Sequence, residues 1–421
     1  MLKDDNKYYF PLLIIFLCFN DIFDSYATNY PNSIGSFIEL EFVVSHSIFL
    51  IAVGIASIGT YFVFLNQYLS DLFGRRILLF AILIGIGVSS FIISISQNII
   101  QYTIGLFLLY VFFSSDIWTI YLSEQASEKH RGKYISLILV FGAVGGALTV
   151  PLFRTFLIPN FGWRSMTWFA FLAIPIAFCT FIFKESKVYR DLKRDKRKGP
   201  SIFNLDNFRK IFGMKMIKST LTVSFLGFFI GFNYVFLLSG EPYLVDRGLD
   251  ASGIDLIITM IAIGAIIGYI LAGVISDYMG RKPVIYIFCM LGTPGILMVI
   301  LGNYFIITIG AFIVSIAYWA LFVTSRQIAI EIYSTDIRGA GAGFRSLLFA
   351  IGTTIGAFWT SFLLQFIGLG WSFFVNSIFL ILMIPFVYFF IKETKGIKLD
   401  FTQFLGKEAH SFRCGRKCRL F

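Results

Sequence analysis

Apolar runs long enough to cross a lipid bilayer recur along the whole of this 421-residue chain, and they constrain its fold more than any other feature. A helix rises about 1.5 Å per residue, so roughly 20 mostly apolar residues cover the hydrocarbon core. Such runs lie near 9–27, 43–66, 77–97, 101–122, 134–156, 164–183, 219–240, 254–275, 284–302, 304–325, 340–364 and 370–391. They are continuous rather than alternating, which favours helices over a barrel. Only 14% of residues are charged and 51 are Phe, whereas a soluble domain carries about 25% charged residues. The expectation is an all-α membrane protein of twelve transmembrane helices, with the lipid bilayer as its first partner.

The net charge of +11 invites a nucleic-acid reading, but the cations alternate with the loops. Lys3 and Lys7, Arg75 and Arg76, Lys129 to Lys133, the stretch 184–218, Arg281 and Lys282, and the tail after Lys392 hold most of them. The intervening loops hold Arg154, Arg164 and Arg247. That positive-inside pattern puts both termini in the cytoplasm and needs no nucleic acid. The segments KRDKRKGP and FRCGRKCRLF are also suited to anionic headgroups. The first run carries acids where a signal peptide would be apolar, so no cleavable leader is expected. The absence of an Asn-x-Ser/Thr sequon fits a multi-pass protein of a plasma (inner) membrane rather than a glycosylated cell-surface protein.

Enzyme chemistry finds no foothold. His46, His130 and His410 have no triad or metal-site partners nearby in sequence. Cys18, Cys179 and Cys289 fall in apolar runs, while Cys414 and Cys418 lie in the basic tail with too few ligands for zinc. No metal and no cofactor is expected, and no phosphate-binding loop appears. Energy for transport would therefore come from a gradient.

The chain repeats itself. Asp71-Leu-Phe-Gly74-Arg75-Arg76 returns as Asp277-Tyr-Met-Gly280-Arg281-Lys282, 206 residues later. Glu124, followed by Arg131-Gly132, returns as Glu331, followed by Arg338-Gly339, 207 residues later. Glu185-Ser-Lys returns as Glu393-Thr-Lys-Gly, 208 residues later. Three pairs at nearly one offset imply two related six-helix bundles. The expected organisation is 1–184, a cytoplasmic linker 185–218, 219–392 and a basic tail 393–421. Within the linker, Ile202 to Phe212 has the pattern of a surface-lying amphipathic helix.

These loops resemble those of the major facilitator superfamily over roughly residues 8–396. The Glu…Arg-Gly loops, the Glu-Ser-Lys and Glu-Thr-Lys-Gly endings, and the run Glu331-Ile-Tyr-Ser-Thr-Asp-Ile-Arg338-Gly-Ala-Gly341-Ala-Gly343 are similar to its sugar-porter and metabolite-symporter branch. The chain departs from that branch at Gln67, at Ser334 and at Phe229-Ile-Gly-Phe-Asn-Tyr, where sugar porters carry paired glutamines. The resemblance thus implies alternating access without implying a hexose.

It also implies a gate on the cytoplasmic face that holds the outward-open state. Asp71 and Asp277 are suited to accept hydrogen bonds at a neighbouring helix start, with Arg75 and Arg281 in water beside Arg76 and Lys282. Gly74 and Gly280 allow the tight turns. Glu124 with Arg131, and Glu331 with Arg338, supply opposite charges on the same face. The alternative is that these cations only anchor topology.

Charges inside the apolar runs mark the candidate site, because an intramembrane carboxylate is costly unless it works. Asp21 and Asp24 share a face of the first helix. Asp24 lies in Phe23-Asp24-Ser25-Tyr26, which resembles the Phe-Asp-x-Tyr of proton-coupled symporters; its rival placement is the watery outer mouth. Asp116 lies mid-helix, with Arg326 and Arg345 as distant candidate partners. Asn233, Tyr234, Tyr318 and Trp319 are candidates to line a cavity, or else packing. The pairs Gly264/Gly268 and Gly352/Gly356 suit close helix packing. The sequence is thus expected to encode a monomeric secondary transporter that takes up a small polar or anionic metabolite with protons. Proton-antiport efflux is the alternative, with Gly142, Gly145, Gly146 and Pro151 approximating an antiporter motif. A non-transporting sensor is a third.

Overall fold

The computed structural model describes residues 8–113, 117–125, 131–185, 211–214, 216–332, 338–391 and 393. In the first half the helices are α1 (Tyr9–Asn29), α2 (Gly35–Phe42), α3 (His46–Ser57), α4 (Val63–Phe73), α5 (Arg75–Ser94), α6 (Ile99–Val111), α7 (Ile117–Gln125), α8 (Arg131–Ala143) and α9 (Val150–Phe161). A further helical run, α10 (Trp163–Ile182), completes it. The second half has the run α11 (Ile217–Ser239), then α12 (Glu241–Asp246), α13 (Ala251–Met279), α14 (Arg281–Leu301), α15 (Tyr304–Ile332), α16 (Arg338–Ile367) and α17 (Leu369–Phe390). The bundle has a basal end, where α1 begins and α10 and α17 finish, and a distal end opposite.

Ten helices among the described residues are long and apolar enough to cross a membrane, or eleven if the pair Gly35–Phe42 and His46–Phe62, bent by 117°, is one span. Two predicted spans differ in detail. The run 43–66 is preceded by a corner at which Val43 adopts a left-handed conformation, φ 52°, so α2 folds away from α3. The run 101–122 corresponds to α6, of 13 residues, and α7, with 114–116 outside the described residues. Hydropathy is continuous across both places, and it does not register backbone corners.

Buried apolar side chains form one core within 9–183, joined by Leu238, and another within 211–391. A third, toward the distal end, packs Leu50 of α3 with Val235, Tyr243, Ile257 and Phe373 of the second half. Phe156, Phe305 and Phe389 point outward, 62–75% exposed. In a bilayer that surface faces lipid. Within the second half, helices touch through glycine: Gly352 and Gly356 meet the carbonyls of Phe228 and Phe232, and Gly264 and Gly268 meet those of Phe312 and Ile316.

The repeat of the sequence is a repeat of geometry. Gly74 and Gly280 have φ of 103° and 102°, a region only glycine occupies without strain. The amide of each donates to the carbonyl of Ser70 or Ser276, both at 3.0 Å. The following arginine folds back, Nη1 of Arg75 onto Ser70 O (3.1 Å) and of Arg281 onto Ser276 O (2.9 Å). A carboxylate then caps each new helix. Glu185 accepts from the amides of Arg75 and Arg76 at 3.2 Å each. Glu393 accepts from those of Arg281 and Lys282 at 2.9 and 3.1 Å. Helix N-termini favour an anion there through unpaired amides and the macrodipole.

A Cβ at Gly280 would also sit 2.7 Å from the Glu393 carboxylate, whereas one at Gly273 meets nothing within 4 Å. Gly280→Ala is therefore expected to destabilise the folded protein by about 1–3 kcal/mol, and Gly273→Ala to leave it unchanged or slightly more stable. Thermal unfolding in detergent, followed by fluorescence, distinguishes the two.

Candidate functional site

The two halves are tied together at the distal end. Arg154 of α9 is only 4% exposed, so its charge has to be met locally. It reaches into the second half, donating from Nε to Asp255 Oδ1 of α13 at 2.6 Å and from Nη2 to Glu241 Oε1 of α12 at 3.1 Å. Its Nη1 donates to the Ser33 carbonyl, and the guanidinium lies 5.2 Å from the Phe37 ring centroid. Glu241, equally buried, also accepts from the Ser36 amide (2.6 Å) and hydroxyl (2.5 Å). Beside it, His46 at the start of α3 contacts Asp246 Oδ2 of α12 at 2.5 Å. Below, α3 runs along α16, with Ser47 against Ser361 (2.8 Å) and Ser57 against Thr354 (2.6 Å).

Beneath this seal, α1 lies against an irregular stretch of the α8–α9 region. Val144–Thr149 forms a π-helical turn, a feature frequent at functional sites. Gly142 and Gly146 there face the side chains of Asp21, Ser25 and Asn29 of α1, and Gly145 lies against the Ile22 backbone, with no room for a side chain of its own. The antiporter-like glycines thus serve as the bed on which the Asp21 segment rests. Asp21 is 8% exposed and Asp24 is 5% exposed, so Asp24 is buried rather than at a watery mouth.

The second half presents an aromatic wall. Tyr234, at a break in α11, stacks on Tyr318 at 5.1 Å between ring centroids and meets Trp319 at 6.2 Å. Trp319 packs on Tyr269 of α13 at 5.3 Å and on Phe322 at 5.5 Å. The Arg326 guanidinium lies 5.7 Å from the Phe322 ring centroid, and that of Arg345 4.7 Å from the same centroid. Tyr269 lies within electrostatic reach of Arg326, Tyr234 and, across the interface, Asp21. Asn32 of the first half donates to the Tyr234 hydroxyl at 3.5 Å. Arg326 is exposed, and an exposed guanidinium on a spanning helix belongs to a wet cavity, not to lipid. The arrangement offers a carboxylate from one half and a cation with aromatic faces from the other.

The structure thus brings together Asp21, Tyr234, Trp319 and Arg326. Asn233 lies beside them but turns its amide to Phe229 O (2.9 Å) and lines a small cavity inside the second half with Tyr318, Asn376 and Ser377. Asp116 lies outside the described residues, as do the side chains of Asp71, Asp277, Glu124, Arg131 and Arg338. At the basal end Arg75 is buried, not in water, and Arg281 is held by Glu331 through Nη2 at 2.6 Å. Tyr388 O accepts from Lys282 Nζ at 3.2 Å, and Phe183 O from Arg76 Nη1 at 2.9 Å. These basal bonds stay within their own half. Sequence reasoning missed the distal network: Arg154 was assigned to a loop, and Glu241 and Asp255 were not singled out. A buried arginine inside an apolar run was the available signal.

The profile of the Major Facilitator Superfamily matches residues 16–241 and again 223–409. A Cupriavidus pinatubonensis protein described as a probable 4-methylmuconolactone transporter is 24% identical over 298 residues, 69% of this chain and 68% of that one. The fold is similar to that of the xylose transporter XylE from E. coli in an inward open conformation, with a TM-score of 0.75 and 17% identity over 94% of this chain and 99% of that one. It is similar also to a D-xylose-proton symporter, with a TM-score of 0.77 and 17% identity over 93% and 100%.

Breaking a buried ion pair from one side costs about 3–5 kcal/mol. Glu241→Gln is therefore expected to lower the ratio of distally closed to distally open molecules by more than tenfold. Spin labels at Ile100→Cys and Phe305→Cys, exposed sites on the distal parts of the two halves, read this as a longer distance population in a background freed of native cysteines.

Proposed function

The chain belongs to the Major Facilitator Superfamily, and from that premise we propose that it carries a small polar or anionic metabolite inward by alternating access, coupled to protons. It is a multi-pass membrane transporter, not an enzyme. The observation that supports the finer reading is the site between the halves, where Tyr269 lies within electrostatic reach of both Asp21 and Arg326, under a distal end tied by Arg154. In this reading the distal end is the outside, both termini are cytoplasmic, and the chain crosses a plasma (inner) membrane twelve times as a monomer. The structure then corresponds to a state closed outward, the state whose inner gate is released.

The proposed division of labour follows from the chemistry. Arg326 supplies the positive charge that an anionic group needs, and Trp319, Tyr234 and Tyr269 offer flat faces to the rest of the molecule. Asp21, buried and held on the glycine bed, exchanges a proton as its surroundings alternate between wet and dry. Asp24 and Asp116 remain further candidates for the same relay. The basal residues Asp71, Gly74, Arg75, Arg76, Glu124 and Arg131, with Asp277, Gly280, Arg281, Lys282, Glu331 and Arg338, form the inner gate. A second reading, proton-antiport export, is favoured by one feature, the seating of Gly142, Gly145 and Gly146 against α1.

Proteoliposomes with a pH-sensitive dye test the reading, using a panel of organic acids, sugars and amino acids that includes 4-methylmuconolactone. Substrate-driven proton entry is expected in the wild type and is expected to vanish in Asp21→Asn, with tracer exchange retained. Arg326→Gln is expected to raise the half-saturating substrate concentration about tenfold, the loss of roughly one charged contact. Substrate-driven proton exit would favour antiport. Tracer exchange without any proton movement would overturn the coupling.

A further inference from the structure

His46 sits where the halves meet, with a carboxylate from each on either side of its ring. Its Nε2 is 2.5 Å from Asp246 Oδ2 of α12, in the second half. Its Nδ1 contacts Glu39 Oε2 of α2, in its own half. The ring is 23% exposed at the side chain, Glu39 9% and Asp246 55%, so the group is reachable from distal water yet partly shielded from it. A neutral imidazole has one N–H and one lone pair. Either tautomer would turn that lone pair onto a carboxylate oxygen at contact distance. Only the imidazolium, with a positive charge and no lone pair on either nitrogen, suits a carboxylate on both sides.

From this geometry we propose that His46 is a proton-binding site at the distal mouth, and that the bound proton clamps the two halves shut. The surrounding charges sharpen the effect. Besides Asp246, the acid within electrostatic reach of Glu39 is Glu241 on α12, and its cation, Arg154 on α9, is already engaged by Glu241 and by Asp255 of α13. Arg247, next to Asp246, is turned away to the Ile300 and Gly302 carbonyls at 2.8 Å each. Glu41 of α2 is held by Arg164 at 2.5 Å. Once His46 loses its proton, Glu39 and Asp246 lie on either side of a neutral ring, with no cation paired to either among the described residues. Repulsion then favours separation of the halves.

The stoichiometry is one proton bound on closure and one released on opening, taken from and returned to the same side. His46 therefore gates without carrying. It differs in this from the coupling proton assigned to Asp21, and it does not depend on what the substrate is or on whether Asp21 couples.

The test uses the full-length purified protein in nanodiscs, without substrate, with spin labels at Ile100→Cys and Phe305→Cys. Over pH 5 to 9.5 the closed-to-open ratio is expected to fall with rising pH, by up to tenfold per pH unit for a single linked proton. His46→Gln is expected to flatten that dependence on the open side. Asp246→Asn, which leaves the ring and Glu39 in place, is expected to reduce the slope while retaining the fold, checked by its thermal transition. A pH-independent distance distribution in the wild type would overturn the proposal. So would a His46→Gln protein that titrates as the wild type does.

Discussion

A guanidinium withdrawn from water has to find its counter-charge where it lies, and in this protein Arg154 finds it on the opposite half of the molecule. That single requirement organises the distal end. Glu241 and Asp255 supply the compensating charge, Ser33 and Ser36 satisfy the remaining donors and acceptors, and α12 is drawn against α2. The apolar packing of Leu50 with Tyr243 and Phe373 follows the same line of contact. Such an arrangement stabilises one conformation and is costly to break from one side. Breaking it from both sides at once, as water enters, lets each charge be solvated instead. This asymmetry suits a gate that opens as a unit.

The basal end is built on a different principle. There the bonds described close within a half: a glycine turn, an arginine folded onto the preceding serine carbonyl, and a carboxylate on the amides of the next helix, once per half. Because Glu185 and Glu393 come from the last helix of their respective halves, each fixes the third segment of a half to its sixth. The halves are thereby stiff bodies at one end and joined bodies at the other. Rocking needs both properties.

Much of this was legible in the sequence, and the exceptions have physical causes. The repeat was visible because glycine at a positive φ and a helix-capping acid tolerate few substitutes, so spacing survives where packing residues drift. Asp21 and Arg326 stand out in the sequence as charges in apolar runs, and the structure places both within electrostatic reach of Tyr269. Arg154 was misread for the opposite reason: near the end of a run, a lone arginine looks like a topological anchor, and its partners lie 87 and 101 residues away. The capping role of Glu185 and Glu393 was not legible, because sequence spacing does not say which acid returns to a helix start. The wall formed by Tyr269 with Trp319 depends on the crossing of α13 and α15, which hydropathy does not encode.

The glycine contacts between α11 and α16 have a mechanical consequence. Where two helices touch backbone to backbone, there are no side chains in between to re-rotamer, and the pair loses its independent degrees of freedom. Helix α11 carries the break at Tyr234 and leads into α12, so any displacement of the seal is transmitted to α16. That helix also lies across α3 in the other half, through Ser57 and Thr354. Where α16 meets α3, small hydroxyls lie face to face, so the α11–α16 pair is a lever that bears on that hydroxyl seam.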